Sequence, residues 1–261
     1  METTRYLDCL AADYELLRDA AASAASAASG GLERAVPCCP GWTTADLVTH
    51  VGHVYLHKAA VMREKKWPDP FPPDGLPAGP LAVLDLGYSE LTAEFARRQA
   101  DEPSLTWFGP EQTVGFWIRR MAQETVVHRM DAQLAAGVAV IPAPADLAVD
   151  GIDEVLKRFL AYGSVEWPEE YATVQGGHLA DDAGTGTIVV SAGPASWTVR
   201  PTPRSVTVTD GADSSARAEV SADPDAMLRW LWGRAGDGAV TVTGDQAWAA
   251  YLRRLLASVT G

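Results

Sequence analysis

The sequence lacks most features that mark secreted or membrane proteins. Its 261 residues include only three cysteines, Cys9, Cys38 and Cys39, and two of these are adjacent, so no disulfide framework is indicated. No stretch approaches the roughly 20 apolar residues of a membrane span. The N-terminus also lacks the basic start and apolar run of an export signal. We therefore expect a cytoplasmic protein that makes no membrane contact.

Positive charge is scarce as well. The net charge of −13 opposes the phosphate charge of nucleic acids, and no basic stripe offsets it locally, so nucleic-acid binding is not expected. Hydrophobic residues make up 47% and charged residues 21% of the chain, which is ordinary globular usage. The length suffices for one large domain or two modest ones, as a monomer or a homodimer.

Apolar residues at spacings of three and four predict four helices in the first half of the chain. The first helix contains Leu7 and Leu17 and should end at Gly30-Gly31. A second helix should run from a Thr43 cap to about Lys66, a third should contain residues 84–95, and a fourth should run from Thr113 to Ala136. The Pro-rich segment from Pro68 to Pro80 reads as a loop. These helices predict a four-helix bundle.

The second half of the chain has a different periodicity. β-Branched runs predict strands at residues 187–190, 196–199, 205–208 and 239–242, and helices are expected around residues 152–162 and after caps at Asp223 and Asp245. We therefore expect two domains, a helical bundle over residues 1–145 and a smaller α+β domain over residues 146–261.

Two helices of the predicted bundle bring together residues that bind metals. Glu124 and His128 lie four residues apart, so both side chains can point at one ion. His50, His53 and His57 share one face of the second helix. Spacing alone leaves two other interpretations open, a solvated Glu–His pair on one helix and half-buried packing of the histidines on the other.

Two imidazoles and one carboxylate would suit zinc, with a fourth coordination position left open for water or a thiol. Iron or nickel is also chemically acceptable. The predicted ligands of this divalent ion are His50, Glu124 and His128.

Two sequence motifs resemble those of a known family. Residues 41–50, GWTTADLVTH, are similar to the "GWT, two residues, DLV, one residue, H" signature of DinB-like bundles, and more narrowly to that of the mycothiol-dependent maleylpyruvate isomerase family of actinobacteria. Residues 117–120, WIRR, followed by Glu124, His128, Arg129 and Asp131, resemble the family's second motif. Residues 225–234 and 242–245 resemble its small C-terminal domain, which is related in shape to sterol-carrier proteins. The resemblance covers nearly the whole chain.

The resemblance implies a zinc enzyme that uses mycothiol, an actinobacterial thiol, as a cosubstrate. In the family, the histidine of the first motif and the Glu and His of the second coordinate zinc, which maps onto His50, Glu124 and His128. The expected activity is thiol transfer to a small-molecule electrophile or cis–trans isomerisation. None of the three cysteines falls in the metal motifs, so a structural role is expected for them.

Several other residues are candidates for roles beside the metal. Arg120 lies one turn before Glu124, where it can hold a substrate carboxylate or, as we favour, pair with Glu124. His53 and His57 can act as an acid, a base or a further ligand. Surface solvation is favoured for Arg119 and Arg234, and core packing for Trp117.

Two rival functions remain open from the sequence. One is another enzyme on the same bundle, a metal-dependent hydrolase or a transferase of a different thiol such as bacillithiol. The other is a non-catalytic protein in which the metal is structural or the C-terminal domain binds an apolar ligand. Four tryptophans of that half supply aromatic surface for such a ligand, or for a core, and they are Trp197, Trp230, Trp232 and Trp248.

Overall fold

The computed structural model describes residues 1–26, 31–173 and 186–260, which form two compact units, Met1–Ile141 and Pro142–Gly261. The first unit is helical and the second contains a five-stranded sheet, so the predicted fold class is confirmed. None of the described helices combines the length and the apolar character needed to cross a membrane.

Four long helices form the first unit. They are α1 (Thr3–Ser26), α2 (Thr44–Glu64), α3 (Pro80–Ala96) and α4 (Val114–Ala136), with a short 3-10 turn at Gly31–Glu33. Helix α1 packs mainly on α4, and α2 packs mainly on α3. The predicted end of the first helix at Gly30 lies outside the described residues.

Local capping fixes where α2 and α4 begin and end. The Thr43 hydroxyl accepts a hydrogen bond from the Asp46 amide at 3.2 Å, and the Asp46 carboxylate accepts one from the Thr43 amide at 2.8 Å. This reciprocal pair is the predicted capping box. Helix α2 ends two residues earlier than predicted because Lys65 adopts a left-handed conformation, and Gly137 ends α4 in the same way, as expected.

Two glycines allow α2 and α3 to approach closely. A Cβ atom added at Gly87 would lie 2.4 Å from the carbonyl oxygen of Gly52, and one added at Gly52 would lie 2.8 Å from the backbone of Val83. Neither helix could carry even an alanine here without moving. This contact fixes α2, and therefore the histidines it carries, against α3.

The second unit begins with a helix that changes its winding. Helix α5 (Ala145–Glu154) continues through a π-helical segment (Val155–Ala161) into α6 (Tyr162–Glu166), and α7 (Pro168–Thr173) follows. The sequence predicted only the middle of this segment, because the Pro- and Ala-rich stretch at its start read as a boundary. Pro144 instead directly precedes α5, since proline is tolerated before the first turn.

The sheet has five strands in the order β3-β2-β1-β4-β5. They are β1 (Ile188–Ala192), β2 (Ala195–Pro201), β3 (Val206–Asp210), β4 (Ala218–Ala222) and β5 (Thr241–Gly244). β1 and β4 are parallel, and the other neighbours are antiparallel. The prediction missed β4, whose sequence AEVSA has a single β-branched residue, and placed β5 two residues early, where Asp237–Ala239 forms a 3-10 turn.

Two further helices complete this unit. They are α8 (Pro224–Leu231), capped by Asp223, and α9 (Gln246–Thr260), whose first turn is capped by Asp245 as predicted. Trp197, Trp230 and Trp248 are at most 3% exposed, so they belong to the core of the unit.

Candidate metal centre

Three side chains from two helices of the first unit converge on one point. Nε2 of His50, on α2, lies 3.4 Å from Oε1 of Glu124, on α4. Nε2 of His128, one turn further along α4, lies 3.2 Å from the same oxygen. All three potential ligand atoms lie within 4.8 Å of one another. The three residues predicted as metal ligands are thus brought together.

Two of the three separations between the potential ligand atoms are those expected around a small tetrahedral ion. Two ligand atoms at about 2.0 Å from zinc and at a tetrahedral angle lie about 3.3 Å apart. The two separations from Glu124 Oε1 are close to that value. His50 is 38% exposed at its side chain, whereas Glu124 and His128 are 15% and 11% exposed, so the group is open on the His50 side.

A buried carboxylate fixes the orientation of the His128 ring. Oδ2 of Asp131 lies 3.0 Å from Nδ1 of His128, and the Asp131 side chain is fully buried. Because a carboxylate accepts hydrogen bonds, Nδ1 donates and Nε2 points towards Glu124. Burial opposes protonation of His128, but the charges of Glu124 and Asp131 outweigh it and raise the pKa of His128 to about 9. The same charges that favour a proton here favour a metal cation.

Glu124 is held as a carboxylate by its neighbours. Burial alone would raise its pKa, but His128, His50 and Arg120 hold that pKa well below the ordinary value. Nη2 of Arg120 donates to Oε2 of Glu124 at 2.7 Å, which leaves Oε1 facing the two imidazoles. Arg120 is 4% exposed. Arg120 therefore pairs with Glu124, as the favoured prediction stated.

A cleft of about 510 Å³ opens beside His50, within the range of small-molecule sites. Its lining residues are Gly41, Trp42, Ala45, Asp46, Thr49, His50 and His53. The Trp42 ring lies 4.8 Å from the His50 ring and 6.5 Å from the His128 ring. Burial and the neighbouring His50 lower the pKa of His53, which favours its neutral form. His53 is thus beside the trio rather than in it.

The other sequence candidates make contacts of their own. His57 packs against Phe71 and Trp67, with ring centroids 4.9 Å and 5.9 Å away, and burial lowers its pKa to about 4. Trp117 is fully buried, as favoured, and its Nε1 donates to the Leu105 carbonyl. Arg119 is half-buried on α4. Arg234 belongs to the second unit, where its guanidinium donates to the Trp232 carbonyl.

Two residues at this centre have no site role predicted from the sequence. Asp131 lies three residues after His128, a spacing that places the two on one helix face and could have indicated the contact. Cys39 carries no such signal, and its Sγ lies 3.7 Å from Oδ2 of Asp131. This contact with the residue that orients His128 is compatible with the structural role expected for the cysteine, which stays a prediction.

Comparisons with known proteins agree with both units. The family model described as "Mycothiol maleylpyruvate isomerase N-terminal domain" matches residues 14–133, and the "MDMPI C-terminal domain" matches residues 146–251. A search of curated proteins found no match.

Solved structures show a similar fold. The crystal structure of the mycothiol-dependent maleylpyruvate isomerase, and that of a mutant of it, each align with a TM-score of 0.61 and 14% identity, over 93% of this chain and 93% of theirs. At this identity the likeness concerns the fold alone. A structure titled "UbiJ-SCP2 Ubiquinone synthesis protein" covers 45% of this chain and 93% of its own at 18% identity, but its TM-score of 0.29 supports no argument.

The two family models match one unit each, in the order that the two sequence motifs and the C-terminal pattern imply. The chain therefore belongs to the mycothiol-dependent maleylpyruvate isomerase family.

Proposed function

We propose that the protein is a mycothiol-dependent enzyme that isomerises a small-molecule electrophile or transfers the thiol to it. In this proposal His50, Glu124 and His128 bind one divalent metal ion, zinc being the best fit. The observation that supports it is the convergence of two imidazole nitrogens on Glu124 Oε1, at 3.4 Å and 3.2 Å. Family membership supplies the thiol.

The residues present fit a catalytic metal site. Two imidazoles and one carboxylate are a donor set found in catalytic zinc enzymes, and such sites keep a position open. The ligand trio is exposed on the His50 side, next to the cleft. When bound, a divalent ion favours the thiolate form of a thiol at neutral pH, which supplies a nucleophile.

The protein's own residues hold the trio in one arrangement. Asp131 fixes the ring of His128, and Arg120 occupies Oε2 of Glu124 so that only Oε1 faces the imidazoles. This leaves Arg120 with a positioning role, rather than the substrate contact that was the other prediction for it. Trp42 lies beside both histidine rings and forms part of the wall of the cleft next to them.

His53 is the residue best placed to move a proton in the cleft. It lines the same cleft as His50, and its lowered pKa favours the neutral imidazole, which has one unprotonated ring nitrogen that can accept a proton. In this proposal it takes the proton that an incoming thiol releases and returns one to the product. Because His53 is neutral and lies one turn from His50, proton transfer is a better role for it than binding the metal.

The chemistry that follows is addition or displacement by sulfur. In isomerisation, a thiolate adds to an activated double bond, the resulting single bond rotates, and loss of the same thiolate restores the double bond. In transfer, the thiolate displaces a leaving group or opens an epoxide, and the thioether remains. Neither reaction needs an oxidant or a reductant.

The test is an assay of zinc-loaded protein with mycothiol and a panel of electrophiles that begins with maleylpyruvate, the compound in the relatives' name. Isomer formation with unchanged total thiol supports an isomerase, and loss of free thiol supports a transferase. Both should disappear without mycothiol and in the His50→Ala variant. If neither signal rises above the reaction without protein across the panel, the proposal is wrong.

A further inference from the structure

Lys58 is a half-buried cation on α2 whose polar and aromatic contacts are all neutral. Its Nζ lies 3.2 Å from Nδ1 of His57 and 4.9 Å from the ring centroid of Trp117. His57 has a pKa of about 4 and is therefore uncharged at neutral pH. Over residues 1–26, 31–173 and 186–260, no carboxylate lies within ion-pair distance of Lys58.

Three other cations of the first unit that are largely removed from solvent each have a carboxylate partner. Arg129 pairs with Asp13 at 2.9 Å, Arg120 pairs with Glu124 at 2.7 Å, and Arg98 pairs with Glu94. A cation removed from water without an anion is costly, and a neutral side chain of similar length would avoid that cost. The exception at Lys58 therefore suggests a role in binding.

Lys58 lies near the candidate metal centre. It follows His50 by eight residues on α2, which corresponds to about 12 Å along the helix axis. Its neighbour Trp117 precedes Glu124 by seven residues on α4, so the antiparallel helices bring Lys58 and Trp117 together beyond the metal ligands. Burial and the charge of Arg120 lower the pKa of Lys58, the charge of Glu124 partly offsets them, and the resulting pKa is about 8. Lys58 is thus mostly protonated at neutral pH and within electrostatic range of the centre.

Aromatic side chains pack on both residues of the His57–Lys58 contact. Trp67 and Phe71 pack on the His57 ring, and Trp117 is fully buried. An ammonium between an imidazole and an indole can bind an anion without first breaking an ion pair. Low local polarity also strengthens such a contact relative to one in water.

We propose that Lys58 is a substrate-binding residue that pairs with a carboxylate of the electrophile, while the reacting carbon lies at the His50, Glu124 and His128 centre. The inference rests on the proposed function, because it assumes that an electrophile binds there. It adds the residue that selects an acidic substrate and orients it relative to the metal centre.

A binding experiment tests Lys58 without requiring turnover. Succinate, an unreactive carboxylate, is titrated calorimetrically into zinc-loaded wild-type protein, Lys58→Met and Lys66→Met, with succinamide as the neutral counterpart. Lys66 is the matched control, because it is an exposed lysine just beyond the same helix. We expect the affinity for succinate to fall at least tenfold in Lys58→Met and to stay unchanged in Lys66→Met. The affinity for succinamide should be the same in all three proteins.

Other outcomes would overturn the proposal. The proposal is contradicted if wild-type protein and Lys58→Met bind succinate equally well, or if the wild type binds no succinate. It is also contradicted if the wild type binds inorganic phosphate but not succinate. A lower Tm for Lys58→Met would indicate a structural cation, whereas loss of an unpaired charge should leave the Tm equal or higher.

Kinetics separate this inference from the proposed function. If electrophiles turn over, Lys58→Met should raise KM for an acidic electrophile at least tenfold and change kcat less than threefold, with little effect on its methyl ester. Equal effects on acid and ester contradict a carboxylate contact. If no electrophile turns over but succinate binding depends on Lys58, the proposed function fails while the anion-binding role remains.

Discussion

Asp131 Oδ2 lies 3.0 Å from Nδ1 of His128, and the two residues are three positions apart on the same helix. This carboxylate has no exposure to solvent, and it also contacts Sγ of Cys39. It fixes which nitrogen of His128 faces Glu124. A ligand whose ring is held in place loses little freedom when it binds a metal, and the carboxylate makes it more basic.

We expect Asp131→Asn to weaken zinc binding by about 10- to 100-fold while keeping one ion per chain at saturation. The amide can still contact Nδ1, but it no longer supplies the negative charge. Competition with a chromophoric chelator gives the affinity. Asp101→Asn, which changes an exposed carboxylate of the same unit, is the control and should match the wild type. Equal affinities in the two variants would show that Asp131 does not orient a ligand.

A second buried carboxylate, Glu94 of α3, stabilises the bundle away from the metal ligands. It is 1% exposed and pairs with Arg63 at 2.9 Å, with Arg98 and with Arg97. Burial would raise its pKa, but Arg63 and Arg98 lower it below the ordinary value. A depressed pKa in the folded state means that Glu94 stabilises the protein above the unfolded-state pKa, and that this contribution disappears as the pH falls through the folded-state value.

We therefore expect Glu94→Gln to lower the free energy of unfolding at pH 7 by about 1–3 kcal/mol, because it leaves Arg98, which is only 14% exposed, without its charged partner. The difference from wild type should shrink as the pH falls below about 4.3. Urea unfolding across this pH range measures it. Glu90→Gln removes a more exposed partner of Arg63 and should cost less than about 1 kcal/mol. A difference that grows at low pH would contradict the ionic explanation.

Helix propensity and packing make opposite predictions for Gly87. In an exposed helix, Gly→Ala stabilises by about 1 kcal/mol. In α3 the added Cβ would lie 2.4 Å from the Gly52 carbonyl oxygen, so the helices must separate. We expect Gly87→Ala to destabilise the protein by about 1–3 kcal/mol in chemical unfolding. A stabilised variant would show that α2 and α3 are not in such close contact.

Helix positions in the first unit could be predicted because their signals are local. The Thr43–Asp46 capping box and the αL Gly137 are encoded within a few residues, and the spacing of Glu124 and His128 follows from helix geometry. The pairing of His50 with Glu124 is different, since 74 positions separate them. Helical spacing left it open, and the order of the two motifs favoured it.

Other features depend on tertiary contacts that no local pattern encodes. β4 was missed because AEVSA is a weak strand sequence that is stabilised by neighbours on both sides, β1 and β5. Lys58 drew no attention because a lysine on a helix normally faces water. Its unusual position becomes visible only once Trp117 is placed over its ammonium.

The most direct test is the zinc content of purified wild-type protein, His50→Ala and His53→Ala, measured by atomic emission after equilibration with one equivalent of zinc per chain and removal of unbound zinc. Each variant removes one imidazole from the same helix, and the two positions are one turn apart. They differ mainly in that the imidazole of His50 faces Glu124 and that of His53 does not. We predict one zinc per chain in the wild type and in His53→Ala, and little or none in His50→Ala. Undiminished zinc in His50→Ala would contradict a centre formed by His50, Glu124 and His128.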